Sequence, residues 1–212
     1  MEPYGLTIAS RGTLRQQASL AVSAPLKRNV RQHSGTPIVG KVVFNTERLV
    51  VRRWREDDLP LLISVYTDRD AMRWVADGNP ISNEACSRWM EVTQNNYATR
   101  GYGMFAVETK SEAKVIGFCG LVHPGGQEDA EIKYAYLRSH WGQGFATEAA
   151  HGMLRYGTRC HGLGRILATT APENTASHNV LVKAGMQRGL TRTNDDGSFT
   201  QLFVWQAVPS AA

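Results

Sequence analysis

The decapeptide His140–Ala149, "HWGQGFATEA", constrains the fold more than any other stretch of the chain. It follows an apolar run, Ala135-Tyr136-Leu137, and precedes a segment of helical periodicity. A strand must therefore hand over to a helix within a few residues, through two glycines that bracket one polar residue. The first turn of a helix has backbone N–H groups without partners inside the helix, backed by the positive end of its dipole. An anion, above all a phosphate, suits that position. Glycine at 142 and 144 keeps side chains out of the way and lets the loop turn. The pattern fits a phosphate cradle or, more plainly, a tight turn. It lacks the lysine of a nucleoside-triphosphatase loop and the third glycine of a dinucleotide fingerprint.

The segments around this junction alternate between strand and helix character. "VVFNTERLVVRRW" reads as one strand, with Leu49 and Val51 on one side. In "REDDLPLLISVY", Asp58 is placed to cap a helix whose first turn holds Pro60. A second helix starts near Ser82, with Cys86, Trp89, Met90 and Thr93 on its apolar stripe and Tyr97 continuing it. The strands "GMFAVET", "KVIGFCGLV" and, after a Gly125-Gly126 turn, "AEIKYAYL" follow. A helix then runs to about Thr158. Strand "RILATTA", a short helix stopped by Gly185, and a hairpin around Asp195-Asp196-Gly197 complete the order β-α-α-β-β-β-α-β-α-β-β. This is one mixed α/β domain over 43–212.

Residues 1–42 differ in texture. They carry six cations against one acid, Glu2, which accounts for the whole net charge of +5 and leaves 43–212 neutral. They lack sustained apolar periodicity and are rich in Ser, Arg and Gln, so they read as a disordered leader. Such a leader serves as a tail for acidic partners, as an organelle transit peptide, or marks a start codon assigned too early. A nucleic-acid role would have to reside there, because the domain has no basic surplus. No apolar run approaches the roughly 18–20 residues that span a bilayer. Cys86, Cys119 and Cys160 are odd in number and widely spaced, which argues against a disulfide framework and for a reducing, cytoplasmic setting. No Cys/His grouping has zinc spacing, so no metal is expected.

"WGQGFATEA", from Trp141 to Ala149, resembles the acetyl-CoA pyrophosphate loop of the GNAT N-acetyltransferases. That family's pattern is Q/R-x-x-G-x-G/A. Trp141 stands in the Q/R place and Ala146 in the last, a departure typical of the RimJ/RimL-type branch and its "YWGxGYATEA". "TERLVVRRWREDD", "AEIKYAYLRSHWG" (similar to "AEIGYWLxPxYWG") and "ENTASHNVLVKAGM" (similar to "ENxxSxxVLEKxGF") extend the likeness over about residues 45–206.

The resemblance implies a single GNAT-like mixed sheet flanked by helices. It also implies that acetyl-CoA enters a gap where two neighbouring strands splay. Tyr136 and Leu137 would offer backbone groups to the pantetheine arm. Gly142, Gln143, Gly144, Phe145, Ala146 and Thr147 would hold the pyrophosphate, and Asn174 would contact the arm. No metal is required, and the amine attacks the thioester directly in a ternary complex. Glu131 is then a base acting through water, or else a strand residue paired with Lys133 or a neighbour. His123 is a second candidate base. Glu148, in the helix's first turn, suits structural support. The tyrosine acid of many members falls on Leu181 here and is excluded. Ser177 takes its place as a hydrogen-bond donor to the leaving sulfur, or is simply a first-turn residue after an Asn174 cap.

Acceptors across the branch include protein N-termini, small amines and antibiotics, and a monomer or homodimer is expected. Trp74, Trp89 and Tyr97 are placed either along an acceptor groove or in the core. The competing class is a non-catalytic acyl-CoA sensor or scaffold, which would bind acetyl-CoA without turnover.

Overall fold

The computed structural model describes residues 6–7, 40–74 and 80–207. Among these, nine strands build one mixed sheet. They are β1 (Leu6–Thr7), β2 (Val42–Asn45), β3 (Leu49–Arg52), β4 (Met104–Thr109), β5 (Val115–Val122), β6 (Ala130–Tyr136), β7 (Arg165–Thr170), β8 (Gln187–Thr193) and β9 (Phe199–Gln206). The order is β2-β3-β4-β5-β6-β7-β9-β8, with β1 off this path against β6. The helices are α1 (Leu59–Thr67), α2 (Arg69–Met72), α3 (Asn83–Thr99), α4 (Phe145–His161) and α5 (Thr175–Lys183).

The "VVFNTERLVVRRW" stretch is a hairpin rather than one strand. Thr46 turns the chain, its N–H donating to Leu49 O at 3.0 Å. Asp58 also departs from its expected role. It precedes α1 but makes no side-chain cap. Its carboxylate instead accepts both Nη1 and Nη2 of Arg52, at 2.6 and 2.9 Å. Arg52 is buried and also reaches Glu108 at 2.8 Å. Burial alone would lower its pKa, but the two carboxylates outweigh that and raise it. Ser82 caps α3 as expected, accepting from Ala85 N at 3.2 Å. α4 runs three residues past Thr158, to a C-cap at Gly162. α2 escapes the periodicity, because one turn capped by Asp68 is too short to show it.

Strand pairing decides which residues reach the site. β6 lies antiparallel to β5 along Gly117–Val122. It pairs with the parallel β7 only at Ala130–Ile166 and Glu131–Leu167. Beyond Glu131 the two strands separate. A parallel neighbour needs a crossover connection, and α4 supplies it. Opposite residues of an antiparallel pair project to one face. Phe118, Gly120 and Val122 therefore share a face with Ala135, Lys133 and Glu131. That face carries α1 and α3, since Phe118 packs on Tyr66 and Trp89. Phe105, Cys119 and Tyr134 lie on the other face, where Phe105 meets Tyr156 of α4.

Leu6 and Thr7 pair antiparallel with Ala135 and Tyr134, along the β6 edge freed by the split, and also touch β7 and α5. Residues 1–5 and 8–39, which hold most of the leader expected to be disordered, lie outside the described residues. No helix among the described residues is long and apolar enough to cross a membrane.

Candidate active site

The loop between β6 and α4 has the backbone its glycines suggest. Gly142 and Gly144 sit at φ of 73° and 81°, where L side chains are strained. A Cβ on Gly142 would point into open space, and one on Gly144 would come within 3.3 Å of Arg48 Nη2. Gly144 is the N-cap of α4 and brings no side-chain cap. The N–H groups of Phe145, Ala146 and Thr147 are consequently left without helical acceptors.

Arg48 braces this loop from the β2–β3 turn. Its Nη1 donates to Gln143 O at 2.9 Å, its Nε to Glu148 Oε2 at 2.7 Å, and its guanidinium lies 4.6 Å over the Phe145 ring. Glu148 also accepts from Thr46 Oγ1 at 2.6 Å and Arg48 N at 2.8 Å. Burial opposes its ionisation, but the Thr46 and Arg48 donors prevail and hold its pKa below the usual carboxylate range. Structural support is thus the work Glu148 does. Arg48 itself carried no local sequence signal.

A cleft of about 350 Å³ opens beside the loop. Tyr136, Gly142, Gly144, Phe145, Ala146 and Thr147 line it, as expected, and so do His140, Trp141, Ala176, Asn179, Val180 and Lys183. Lys183 gives its far wall a cation. Leu137, Gln143 and Asn174 do not line it. Leu137 has spent its backbone, with N–H to Ile116 O at 2.9 Å and O accepting from His140 N at 3.0 Å. Gln143 donates its amide to Ser139 O at 3.0 Å. Asn174 caps α5 through its Oδ1 on Ser177 N, at 3.2 Å. Tyr136 O is likewise taken, by Trp141 Nε1 at 2.8 Å. Because Leu137 N–H points to β5, strand alternation directs Tyr136 N–H to the other edge, toward the gap.

Two buried polar atoms have no hydrogen-bond partner among the described residues: Tyr136 OH, on a residue that lines the cleft, and Ser177 Oγ, which does not line it but follows Ala176, which does. Buried polar groups are nearly always paired, so orphans beside a cleft fit a ligand with polar atoms. Burial pushes the Tyr136 phenol well above its ordinary pKa and keeps it a neutral donor. Tyr134 OH points to Ser177 O at 3.5 Å, which places α5 on the same face.

Glu131 lies on the opposite face of β6 and is buried. Its Oε1 accepts from Lys133 Nζ and Thr169 Oγ1. His123 stands apart. Its Nδ1 meets Gln127 O at 2.9 Å, so that nitrogen carries the proton, and its Nε2 accepts from Tyr102 OH at 2.7 Å. Both ring nitrogens are therefore committed. Trp89 and Tyr97 belong to the core: Trp89 packs on Trp54, and Tyr97 stacks on Phe105. Trp74 is half-buried against that core. No group of three metal-ligating side chains occurs among the described residues. The larger hollow, about 530 Å³ between β2 and α4, is an open groove edged by His151, Arg155 and Arg159, away from the split.

The model of the acetyltransferase (GNAT) domain matches residues 48–187. The chain belongs to the GNAT acetyltransferase family. A curated relative, the uncharacterized N-acetyltransferase p20 of Bacillus licheniformis, is 34% identical over 151 residues, covering 69% of this chain and 84% of its own. The [ribosomal protein uS5]-alanine N-acetyltransferase of Escherichia coli (strain K12) is 26% identical over 159 residues, covering 71% and 80%. Among solved structures, RimL, a ribosomal L7/L12 alpha-N-protein acetyltransferase in complex with coenzyme A, superposes with a TM-score of 0.67 at 15% identity. The match covers 78% of this chain and 98% of that one. As a GNAT enzyme the protein is an acetyl-CoA-dependent acetyltransferase, and the split sheet, bare helix N-terminus and cationic wall fit that co-substrate.

Proposed function

We propose that the protein transfers the acetyl group of acetyl-CoA to a primary amine, of a protein N-terminus or a small amine, as a member of the RimJ/RimL-type branch. We assign the activity to 43–212, with the leader 1–42 adding β1 and the first residue of β2 to its sheet. The observation that carries the reading is the placement of Ser177 and Glu131. The orphaned Ser177 Oγ and the buried Glu131 carboxylate lie on opposite faces of the split. One side of the gap can thus serve a leaving sulfur and the other an incoming amine.

In this reading the free N–H groups of Phe145 to Thr147 hold the pyrophosphate with Lys183, while Gly142 and Gly144 keep the approach clear. Tyr136 N–H pairs with the pantetheine arm, and Asn174 sets the start of α5 beside it. Ser177 donates to the departing thiolate, and Glu131 receives the proton of the acceptor ammonium, directly or through a water. Catalysis then rests on positioning and proton transfer. The ribosomal-protein N-terminal acetyltransferases among the relatives favour a peptide N-terminus as acceptor. Release of free thiol from acetyl-CoA, followed with peptides of varied N-terminal residue beside polyamines and aminoglycosides, tests this. Turnover with peptides alone is the expected result. Thiol release with none of them removes the primary-amine assignment.

A further inference from the structure

The buried carboxylate on the acceptor side of the split is bound asymmetrically. Both of its hydrogen bonds, from Lys133 Nζ and Thr169 Oγ1, go to Oε1. Among the described residues no donor reaches Oε2. Lys133 Nζ and Thr169 Oγ1 also bond each other at 3.1 Å, which closes a three-membered cluster. Glu131 is the last residue of β6 paired with β7, so the cluster sits at the apex where the strands part. Gly120, opposite Lys133 on β5, adds no side chain to that face.

A charged lysine in such a place needs a reason. Lys133 is 7% exposed, and taking an ammonium out of water is costly unless it is paired. Burial lowers its pKa, and Glu131 is the one charged group that counters this. Neither neighbouring strand offers a substitute. β5 presents Val122 and Gly120, and β7 presents Thr169. Arg165 and Asp129, a step lower on the same face, are bonded to each other at 2.7 Å.

We infer that Lys133 and Thr169 are positioning residues that clamp Glu131 Oε1, so that Oε2 stands open at the apex as the acceptor for the substrate's proton. The inference rests on the reading of Glu131 as the base. The step balances simply. An N–H bond of the acceptor ammonium breaks and its proton goes to Oε2. The freed lone pair forms the C–N bond to the thioester carbonyl carbon. The C–S bond then breaks, the sulfur leaves with its electron pair and takes the proton of Ser177 Oγ, and Ser177 takes up the nitrogen's second proton. Glu131 returns its proton to solvent. Throughout, the Lys133 and Thr169 donors stay on Oε1 and leave Oε2 as the atom that accepts.

The test compares Glu131→Gln, Lys133→Met, Lys133→Arg and Thr169→Val in the full chain, using the fastest acceptor from the amine panel. Glu131→Gln is expected to lower kcat about 10²–10⁴-fold. Lys133→Met removes one of the two donors that fix Oε1, so kcat falls while KM for acetyl-CoA stays near wild type. Lys133→Arg restores kcat in part, and Thr169→Val lowers kcat with the same unchanged KM. If Glu131→Gln keeps full kcat, the base reading falls and takes the clamp with it. If Glu131→Gln is impaired while Lys133→Met keeps the wild-type kcat, the clamp alone is wrong. Should Lys133→Met fail to fold, Thr169→Val decides, and an unchanged kcat there overturns the clamp.

Discussion

Replacing Ser177 by alanine should separate stability from turnover in opposite directions. The Oγ atom is fully buried and has no partner among the described residues. The Asn174 cap bonds the backbone N–H of Ser177, so it survives the substitution. Alanine is also the best helix former. A buried polar group left unpaired costs about 1–3 kcal/mol. Removing it should recover about 1 kcal/mol, the low end because the deleted atom leaves a small void. For a chain of this size that corresponds to a Tm about 2–4 °C higher. Turnover should move the other way. A positioned proton donor is worth about 10²–10⁴-fold, so a kcat at least tenfold lower is expected even from a weakly acidic hydroxyl. Thermal melts without ligand and thiol release at saturating acetyl-CoA and acceptor measure the two effects on one preparation. A variant that melts lower and turns over normally would refute the argument, because Ser177 would then be an ordinary helix residue whose hydroxyl finds a partner in solution.

Three further outcomes follow from the same geometry. Gly144→Ala places a Cβ at φ of 81° and 3.3 Å from Arg48, at a conformational cost of about 1–2 kcal/mol. Acetyl-CoA affinity in isothermal titration should weaken while the fold persists, and an unchanged Kd would show that the loop does not hold the pyrophosphate. Glu148 has a depressed pKa, so its stabilising contribution is present above the ordinary carboxylate value of 4.5 and lost as pH falls through the lower, folded one. Melts of Glu148→Gln should be flatter than wild type across that acid range, and parallel curves would contradict the assignment. Deleting residues 1–39 removes Leu6–Thr7 from the β6 edge. The shortened protein should stay folded and show a lower KM for acetyl-CoA, and a collapse of its melting point would place the leader within the folded domain.

The parts of this structure legible in the sequence are the local ones. The turn at Gly142–Gly144, the Ser82 cap and the alternation that puts Glu131 and Lys133 on one face each depend on neighbours a few residues away. The family blocks add the sheet and its co-substrate. The groups that tune the site come from far along the chain. Arg48 reaches Glu148 across 100 residues, Arg52 reaches Glu108 across 56, and Thr169 reaches Glu131 across 38. No periodicity links such partners. The Asp58 reading failed for this reason: an aspartate before a helix looks like a cap until a buried arginine claims it. Lys133 offered one usable signal. It stands two residues after Glu131 in a strand whose other residues are apolar or aromatic, at a place where the similar pattern has glycine.

The split between β6 and β7 ties these observations together. A continuous parallel pair would have used the Tyr134 and Tyr136 backbone groups internally. The β6–β7 pairing instead stops after Glu131, and what lies beyond it differs on the two faces. The α5 side presents neutral donors, Ser177 Oγ and Tyr136 OH, beside a cationic rim. The α1–α3 side presents the paired side chains of Glu131 and Lys133. A thioester crossing this gap would meet a donor suited to its sulfur on one side and a carboxylate suited to an ammonium on the other. In the proposed reading, selectivity among amines is set on the face that carries α1 and α3. Substitutions there should change KM for the acceptor and leave KM for acetyl-CoA alone, and a substitution that shifts both equally would mean the two faces are not independent.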